Sequence, residues 1–176
     1  MNEVSVIDWT KIATEVGALV EGQERGSNAL AKAALENLIG PKNLREAVDH
    51  YIGFKPGFEL VRSVLWEIKP WSAMTYCYEL YQTSPDIEVR RSAIELLRVL
   101  ADKRVLLWVK EFLDDKDEGI QAWGFGVLDQ LLWKELVEPE EAEPLLLLAE
   151  QHSNQKVREN ANFVREYLAQ RKQQDA

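Results

Sequence analysis

The chain has 176 residues, of which 46% are hydrophobic and 29% are charged, and its formal net charge at pH 7 is −9. This length and composition are typical of one folded domain with a hydrophobic core and exclude a disordered chain. The acidic charge disfavours general binding to phosphate backbones, and the single cysteine, Cys77, excludes an intrachain disulfide.

The first residues and the apolar runs argue against export and against a membrane span. The N-terminal stretch lacks a basic segment followed by an apolar run, which a signal peptide needs. The longest apolar run, residues 145–149, is far too short to cross a bilayer. We therefore expect a cytoplasmic protein with no membrane contact. Its acidic charge serves solubility or steers basic proteins toward the chain.

Apolar residues at helical spacing predict ten helices, separated by turns rich in Gly, Pro and polar residues. The first helix is expected over residues 6–20, with Asp8 as its cap, and Ser27 caps the second. Gly40 and Pro41 end the second helix, because glycine tolerates the left-handed C-terminal position and proline cannot continue a helix. In the fourth helix, the apolar positions expected to face the core are Val61, Val64, Leu65 and Ile68.

The sixth predicted helix, residues 86–100, has the clearest pattern. Asp86 can accept hydrogen bonds from the free N–H groups of its first turn. The apolar residues of one face are Val89, Ala93, Leu96, Leu97 and Leu100. This face is expected to be buried.

Four more helices complete the predicted chain. The seventh covers residues 105–113, the eighth follows an acidic turn, the ninth begins near Pro139 and Pro144, and Asn154 caps the tenth. Residues 1–172 are expected to form a single domain and residues 173–176 a disordered tail.

The pattern of the sixth helix recurs in every second helix. The first core residues of these helices follow one another at roughly 30-residue intervals; they are Leu30, Val61, Val89, Ile120 and Val157. The residue four positions later is mostly small, and the residue three positions earlier is mostly a capping type. Helix pairs that repeat at such a period cannot bury their faces alone, so we expect them to stack around a continuous core.

The repeated string cap-x-x-Val-Arg-x-x-Ala-x-x-x-Leu is clearest in residues 86–97 and legible again from Asn154. It resembles the second helix of HEAT and armadillo-like repeats, and its short period is similar to that of HEAT-like repeats in bacterial proteins. The resemblance covers about residues 6–170. It implies an all-α fold, a right-handed α-solenoid of about five stacked helix pairs, and the alternative is a non-repeating helical bundle. It also implies ion pairs between neighbouring repeats, for which the candidate residues are Asp86, Arg90, Asp117 and Arg158.

No group of residues has the spacing of a catalytic or metal site. His50 and His152 lie far apart in the chain, without acidic or cysteine neighbours at ligand spacing. Cys77 falls on an apolar stripe, which favours a buried, inert thiol over a nucleophile. The acidic turn at residues 114–118 lacks the central glycine of a calcium loop and is expected to cap a helix. Gly124 is expected to allow close helix packing. We predict no enzymatic activity, no cofactor and no metal.

Six tryptophans are many for this length. Three are expected to pack in the core or on the convex face, namely Trp9, Trp71 and Trp108. The others lie on the second helices of the pairs, which line the concave surface of a HEAT-like solenoid. We call the outward residues of these helices the outward strip; it comprises Ser63, Trp66, Glu67, Arg91, Glu95, Arg98, Asp129, Trp133, Glu159, Phe163 and Glu166. Aromatic anchors supply buried area and charges select a partner, so the strip is the predicted protein-binding surface. The alternative for Trp133 is that it ends its helix and folds onto the next pair.

These features predict a non-catalytic module that binds a protein partner through the outward strip. In a sharper form, the acidic charge and the resemblance to scaffolds of toxin–immunity systems predict a bacterial immunity protein that neutralises a basic toxin.

An enzymatic alternative comes from DNA glycosylases that use a HEAT-like solenoid with a basic cleft, tryptophans and a catalytic aspartate. The residues that could match this inventory are Asp129, Trp133, Trp66, Arg91 and Arg98. The glutamates of the strip disfavour nucleic acid there. A third alternative is a phycobilin lyase or chaperone, since such proteins also use short HEAT-like repeats.

Overall fold

Most segments with helical apolar spacing form helices in the computed structural model, which describes residues 6–174. The helices are α1 Trp9–Glu15, α2 Asn28–Ile39, α3 Pro41–Ile52, α4 Phe58–Ile68, α5 Trp71–Thr83, α6 Ile87–Leu100, α7 Val109–Leu113, α8 Glu118–Trp133, α9 Pro139–Glu150 and α10 Gln155–Gln174. A 3-10 helix, Lys103–Trp108, precedes α7. The all-α class is therefore confirmed. None of the helices within residues 6–174 has both the length and the apolar character needed to cross a membrane.

The N-terminal region differs from the prediction of one helix over residues 6–20. Asp8 does cap α1, since its Oδ1 accepts a hydrogen bond from Lys11 N at 3.0 Å. However, α1 ends at Glu15, and an antiparallel hairpin follows, formed by β1 Leu19–Val20 and β2 Gln23–Glu24. Gly17 turns the chain with φ +76°. The two residues between the strands also have positive φ, which fits a tight hairpin turn and not a helix.

Two further boundaries shift. The third helix begins at Pro41 and not at Asn43, because Gly40, with φ +78°, turns the chain and proline suits the first helical position. The seventh predicted helix is divided into the 3-10 helix and α7. The caps at Ser27, Asp86 and Asn154 form as predicted. The last helix extends to Gln174, and residues 175 and 176 of the predicted tail lie outside the described residues.

The core is best formed in the middle of the chain. The predicted face of α6 is buried at Ala93, Leu96, Leu97 and Leu100. This helix packs most extensively against α5 and α8, and one connected set of buried residues extends from Leu44 in α3 to Val164 in α10. At the N-terminal end, α2 has no buried residue. The prediction for Val64 was wrong: it is exposed, and with Leu60 one turn earlier it forms an apolar row that no helix of residues 6–174 buries.

Gly124 allows α7 and α8 to pack closely, as predicted. A Cβ atom at this position would lie 2.3 Å from Cβ of Phe112, far inside van der Waals contact. Only glycine therefore fits here without displacing a neighbouring helix.

Ion pairs join neighbouring helices, but the partners differ from the prediction. Asp117 accepts two hydrogen bonds from Arg91, one from Nε at 2.9 Å and one from Nη2 at 2.7 Å. The adjacent Arg90 instead binds Asp115 at 2.6 Å. Arg158 donates to the backbone carbonyls of residues 152 and 153, while Asp86 caps its own helix. Gly119 makes the Arg91–Asp117 pair possible. A Cβ atom at this position would lie 2.7 Å from Arg91 Nε, so only glycine leaves room for the guanidinium.

Candidate functional site

The outward strip lies on four helices that neighbour one another in order: α4 packs against α6, α6 against α8, and α8 against α10. Its exposed members are Ser63, Trp66, Glu67, Trp133, Glu159, Phe163 and Glu166. Its half-buried members are Arg91, Glu95, Arg98 and Asp129. Large exposed aromatic residues therefore lie on three of these helices, with charged residues between them.

Two of the charged members on α6 are already engaged within the chain. Arg91 binds Asp117 as described above and also donates to Glu88 Oε1 at 2.7 Å. Glu95 Oε2 accepts a hydrogen bond from the buried Tyr51 hydroxyl at 2.5 Å. Burial and this carboxylate raise the pKa of Tyr51, so its hydroxyl stays a donor. Both side chains thus fasten α6 to its neighbours.

Arg98 has a different environment. Its guanidinium lies 5.1 Å from the Trp123 ring centre, and its nearest carboxylate oxygen, Oε1 of Glu95, is 3.7 Å from Nη2. Its Nε is buried and finds no hydrogen-bond acceptor among the described residues. Gly126 makes room for it, because a Cβ there would lie 2.8 Å from Arg98 Cδ. Arg98 is therefore a well-positioned cation with weak internal partners.

Arg98 lines a surface cavity of about 340 Å³ between α4, α6 and the end of α8, which we call the α4–α6–α8 cavity. The residues around it are Arg62, Ser63, Trp66, Arg98, Val99, Gln130 and Lys134. Three of them are cations, one from each helix region, and Lys134 Nζ lies 5.6 Å from the centre of the Trp66 ring. The structure thus brings together Ser63, Trp66 and Arg98 of the outward strip.

The cations at this cavity repel one another. Burial lowers the pKa of Lys134, and the neighbouring cations Lys69 and Arg98 lower it further. Burial also lowers the pKa of Lys69, whose ammonium donates to Ala101 O at 2.9 Å. Burial raises the pKa of the Asp129 carboxyl, and Arg98 opposes that shift. An acidic chain therefore presents a local cationic centre in the middle of the strip.

Sequence reasoning missed four residues of the cavity, the cations Arg62 and Lys134 and the uncharged Val99 and Gln130. Arg62 falls at a repeat position assigned to ties between helices, and Lys134 follows the last residue of α8. The repeat gives no signal for the two cations, because they and Arg98 stand at different distances from the first core residues of their helices.

The aromatic residues follow the predictions in part. Trp133 combines both predicted arrangements: it is the last residue of α8, its ring lies 4.8 Å from that of Tyr167 in α10, and it remains 56% exposed. Trp108 is buried and stacks on Trp71 and Tyr78, with ring centres 5.4 and 4.3 Å apart. The expectation of packing is wrong for Trp9, which is exposed.

The residues considered for catalysis are either hydrogen-bonded to the backbone or buried. Nε2 of His50 bonds to Pro56 O, and Nε2 of His152 bonds to Leu113 O, each at 2.9 Å. Cys77 is fully buried, and burial raises the pKa of its thiol. Within residues 6–174, no three His, Cys, Asp or Glu side chains converge as metal ligands would.

A larger cavity of about 580 Å³ lies between the α8–α9 connection and α10. Its arginines are paired with glutamates inside the chain: Arg165 binds Glu143 and Glu150, and Arg171 lies 2.8 Å from Glu135. Its charges are compensated, in contrast to those of the α4–α6–α8 cavity.

Comparison of the chain with protein-family models, with curated proteins and with solved structures finds no match. The arguments below therefore depend on the geometry of the strip and the cavity.

Proposed function

We propose that the chain is a non-catalytic protein-binding module whose partner docks on the outward strip. The observation that carries the proposal is the exposure of three large aromatic residues on neighbouring helices. Trp66, Trp133 and Phe163 are 45%, 56% and 63% exposed. Exposed aromatic residues bordered by charges are typical of interaction surfaces, where they supply most of the binding energy.

The scaffold in this proposal is a right-handed HEAT-like solenoid. Its helix pairs are α3–α4, α5–α6, α7–α8 and α9–α10, with α1, the hairpin and α2 at the N-terminal end. Each helix contacts its pair mate, the second helices contact one another in order, and α3 contacts α5 as α7 contacts α9. In a solenoid of this kind, the outward strip lies along the concave wall.

A narrower form of the proposal is a bacterial immunity protein that neutralises a basic toxin. The exposed carboxylates of the strip, on Glu67, Glu159 and Glu166, would then attract the toxin, in keeping with the net charge of −9. In this form, replacing Glu159 and Glu166 with lysine slows association and weakens the complex more at low salt than at high salt.

The experiment places a photo-cross-linking amino acid at position 133 or 163, and in a control at position 107. Leu107 is also a large, exposed apolar residue, but it lies on the 3-10 helix outside the strip. We expect a specific partner to be cross-linked from the strip positions only. The purified partner should lose at least about tenfold in affinity with Phe163→Ala and keep its affinity with Leu107→Ala. Equal cross-linking from both surfaces contradicts the proposal.

A second candidate function is nucleic-acid binding of the DNA-glycosylase type. The observation that favours it is the cationic cavity with an exposed tryptophan, near a half-buried aspartate, Asp129, whose pKa is raised by burial. This candidate requires binding to duplex DNA that weakens about tenfold or more between about 50 and 200 mM salt. It also requires loss of base excision in Asp129→Asn. Binding that is absent or independent of salt rejects it.

A further inference from the structure

We infer that the α4–α6–α8 cavity receives a carboxylate from an acidic segment of the partner protein, while the Trp66 indole packs on a neighbouring apolar side chain of that segment. The inference rests on the proposed function, because the cavity lies in the middle of the outward strip. It adds the chemistry of the group that the partner must present there.

The first argument is that two of the three cations of the cavity, Arg98 and Lys134, lack strong partners. Lys134 has no carboxylate within ion-pair distance among residues 6–174. Its ammonium instead lies 5.6 Å from the centre of the Trp66 ring. Arg98 has only the distant Glu95, whose other oxygen already accepts from Tyr51. Arg62 pairs with Glu59 on the exposed surface of its own helix, at 2.7 Å. An entering anion would therefore meet two cations, Arg98 and Lys134, with little internal competition.

The second argument comes from two equivalent positions on α8. Gly119 and Gly126 lie two turns apart on this helix, and each makes room for an arginine of α6, Arg91 and Arg98 respectively. For Arg91 the chain supplies the acceptor, Asp117, two residues before Gly119. The residue two before Gly126 is Gly124, which has no side chain and cannot have one because of Phe112. Arg98 is held in the same way as Arg91, but no residue among 6–174 provides a hydrogen-bond acceptor for it.

The third argument is the shape and surroundings of the site. The cavity, about 340 Å³, holds one side chain or a chain terminus and not an extended polymer. Glu67, Glu95 and Asp129 belong to the same strip, so the cations of the cavity do not continue along it as a row. Nucleic acid needs a row of cations, whereas a guanidinium beside a lysine suits a single carboxylate. The exposed indole of Trp66 adds the apolar contact that an amino-acid side chain provides and a free anion does not.

The test titrates the ¹⁵N-labelled protein with blocked deca-glutamate and follows the indole N–H signals of the tryptophans by NMR. Trp66→Phe assigns the Trp66 signal. We expect this signal to shift, and the exposed but distant Trp9 signal to remain unchanged. Lys134→Glu should weaken deca-glutamate binding at least about tenfold. Lys42→Glu is the matched control, because Lys42 is an exposed lysine on α3 outside the cavity, and it should preserve binding within a factor of about two.

Deca-lysine, inorganic phosphate and a single-stranded oligonucleotide are titrated in parallel. Tighter binding of the oligonucleotide than of deca-glutamate overturns the inference in favour of nucleic acid, and equal binding of phosphate shows a general anion site and overturns it too. No Trp66 shift at about 5 mM deca-glutamate also overturns it, since even weak specific sites are populated at that concentration.

Failure of the inference and of the proposed function can be told apart. A partner that cross-links to the strip but binds Lys134→Glu as tightly as the wild type overturns only the inference. Deca-glutamate binding that depends on Lys134, without any partner cross-linked from the strip, supports the carboxylate site and overturns the proposed function. Circular dichroism of each variant establishes that it is folded before either conclusion is drawn.

Discussion

Asp117→Asn tests whether Arg91, one of the predicted binding residues, is held in the structure by its ion pair. Asp117 Oδ1 accepts hydrogen bonds from Ile120 N and from Arg91 Nε, both at 2.9 Å, and Oδ2 accepts from Arg91 Nη2 at 2.7 Å. Asparagine keeps one acceptor for the helix cap. It also removes the charge and places an N–H₂ group against a guanidinium that can only donate.

The magnitude follows from the pKa of Asp117. Its hydrogen bonds with Arg91, together with those from the backbone N–H groups of Ile120 and Gly119, lower the pKa from 3.8 to about 2. One pKa unit corresponds to about 1.4 kcal/mol, so the ionised carboxylate stabilises the fold by about 2 kcal/mol at neutral pH. The side chain of Asp117 is 20% exposed and that of Arg91 is 35% exposed, so solvent screens part of this interaction and about 2 kcal/mol is an upper value.

The sign of the pH dependence is set by the direction of this shift. Because the pKa is lower in the folded chain than in the unfolded chain, the stabilisation is complete above about pH 4 and is lost as the pH falls toward 2. About half of it should remain at about pH 3. The difference in stability between wild type and Asp117→Asn should therefore shrink by about half between pH 7 and about pH 3.

Urea unfolding followed by far-ultraviolet circular dichroism measures this difference at both pH values. Asp86→Asn is the matched control, because Asp86 Oδ1 caps α6 through Glu88 N at 2.9 Å and has no ion pair among the described residues. We expect the control to lose about 1 kcal/mol or less. Equal losses in the two variants, or a loss in Asp117→Asn that does not change with pH, would refute the reasoning.

Three further predictions concern packing. Gly124→Ala should lower the free energy of unfolding by about 1–3 kcal/mol, because its methyl group would overlap Phe112, and urea unfolding measures this. Trp108→Ala should lower it by about 3–5 kcal/mol, since the ring is buried, whereas Trp133→Ala should change it by less than about 1 kcal/mol. Cys77 is fully buried and burial raises its pKa, so a thiol reagent should modify it only as fast as the chain opens. Modification at the rate of a free thiol in native buffer would contradict that.

Helices were predictable where the apolar stripe and the cap agree. In α6, Asp86 caps the first turn and the residues from Ala93 to Leu100 on one face are buried, as their spacing requires. The cap and the apolar stripe are both formed by residues in or next to the helix, so they do not depend on which elements pack around it. Residues 16–24 lack that agreement, because the apolar pair at Leu19–Val20 fits a helix face and a short strand equally well. The glycines at 17 and 22, with positive φ, decide for the hairpin.

The ion pairs were less predictable, because they depend on the distance between helices. Arg90 and Arg91 are adjacent in the chain and point to different sides of α6, so the repeat pattern alone cannot assign their partners. The assignment depends on Gly119, which opens a place for Arg91 on α8. Lys134 lies just beyond the helical part of α8, so a helical projection of the outward face does not include it.

Internal partners therefore decide which charged residues of the outward strip can recognise a ligand. Arg91 and Glu95 have outward positions on α6, but an acceptor on α8 and a donor on α3 already occupy them. A partner that bound either side chain would have to break these contacts first, and part of the binding energy would be lost. Arg98 has only a weak competitor, Glu95 Oε1 at 3.7 Å from Nη2, and its place beside Gly126 orders the side chain before a ligand arrives. In our proposal, the same helix uses one arginine to join its neighbours, and the other, two turns later, binds the ligand.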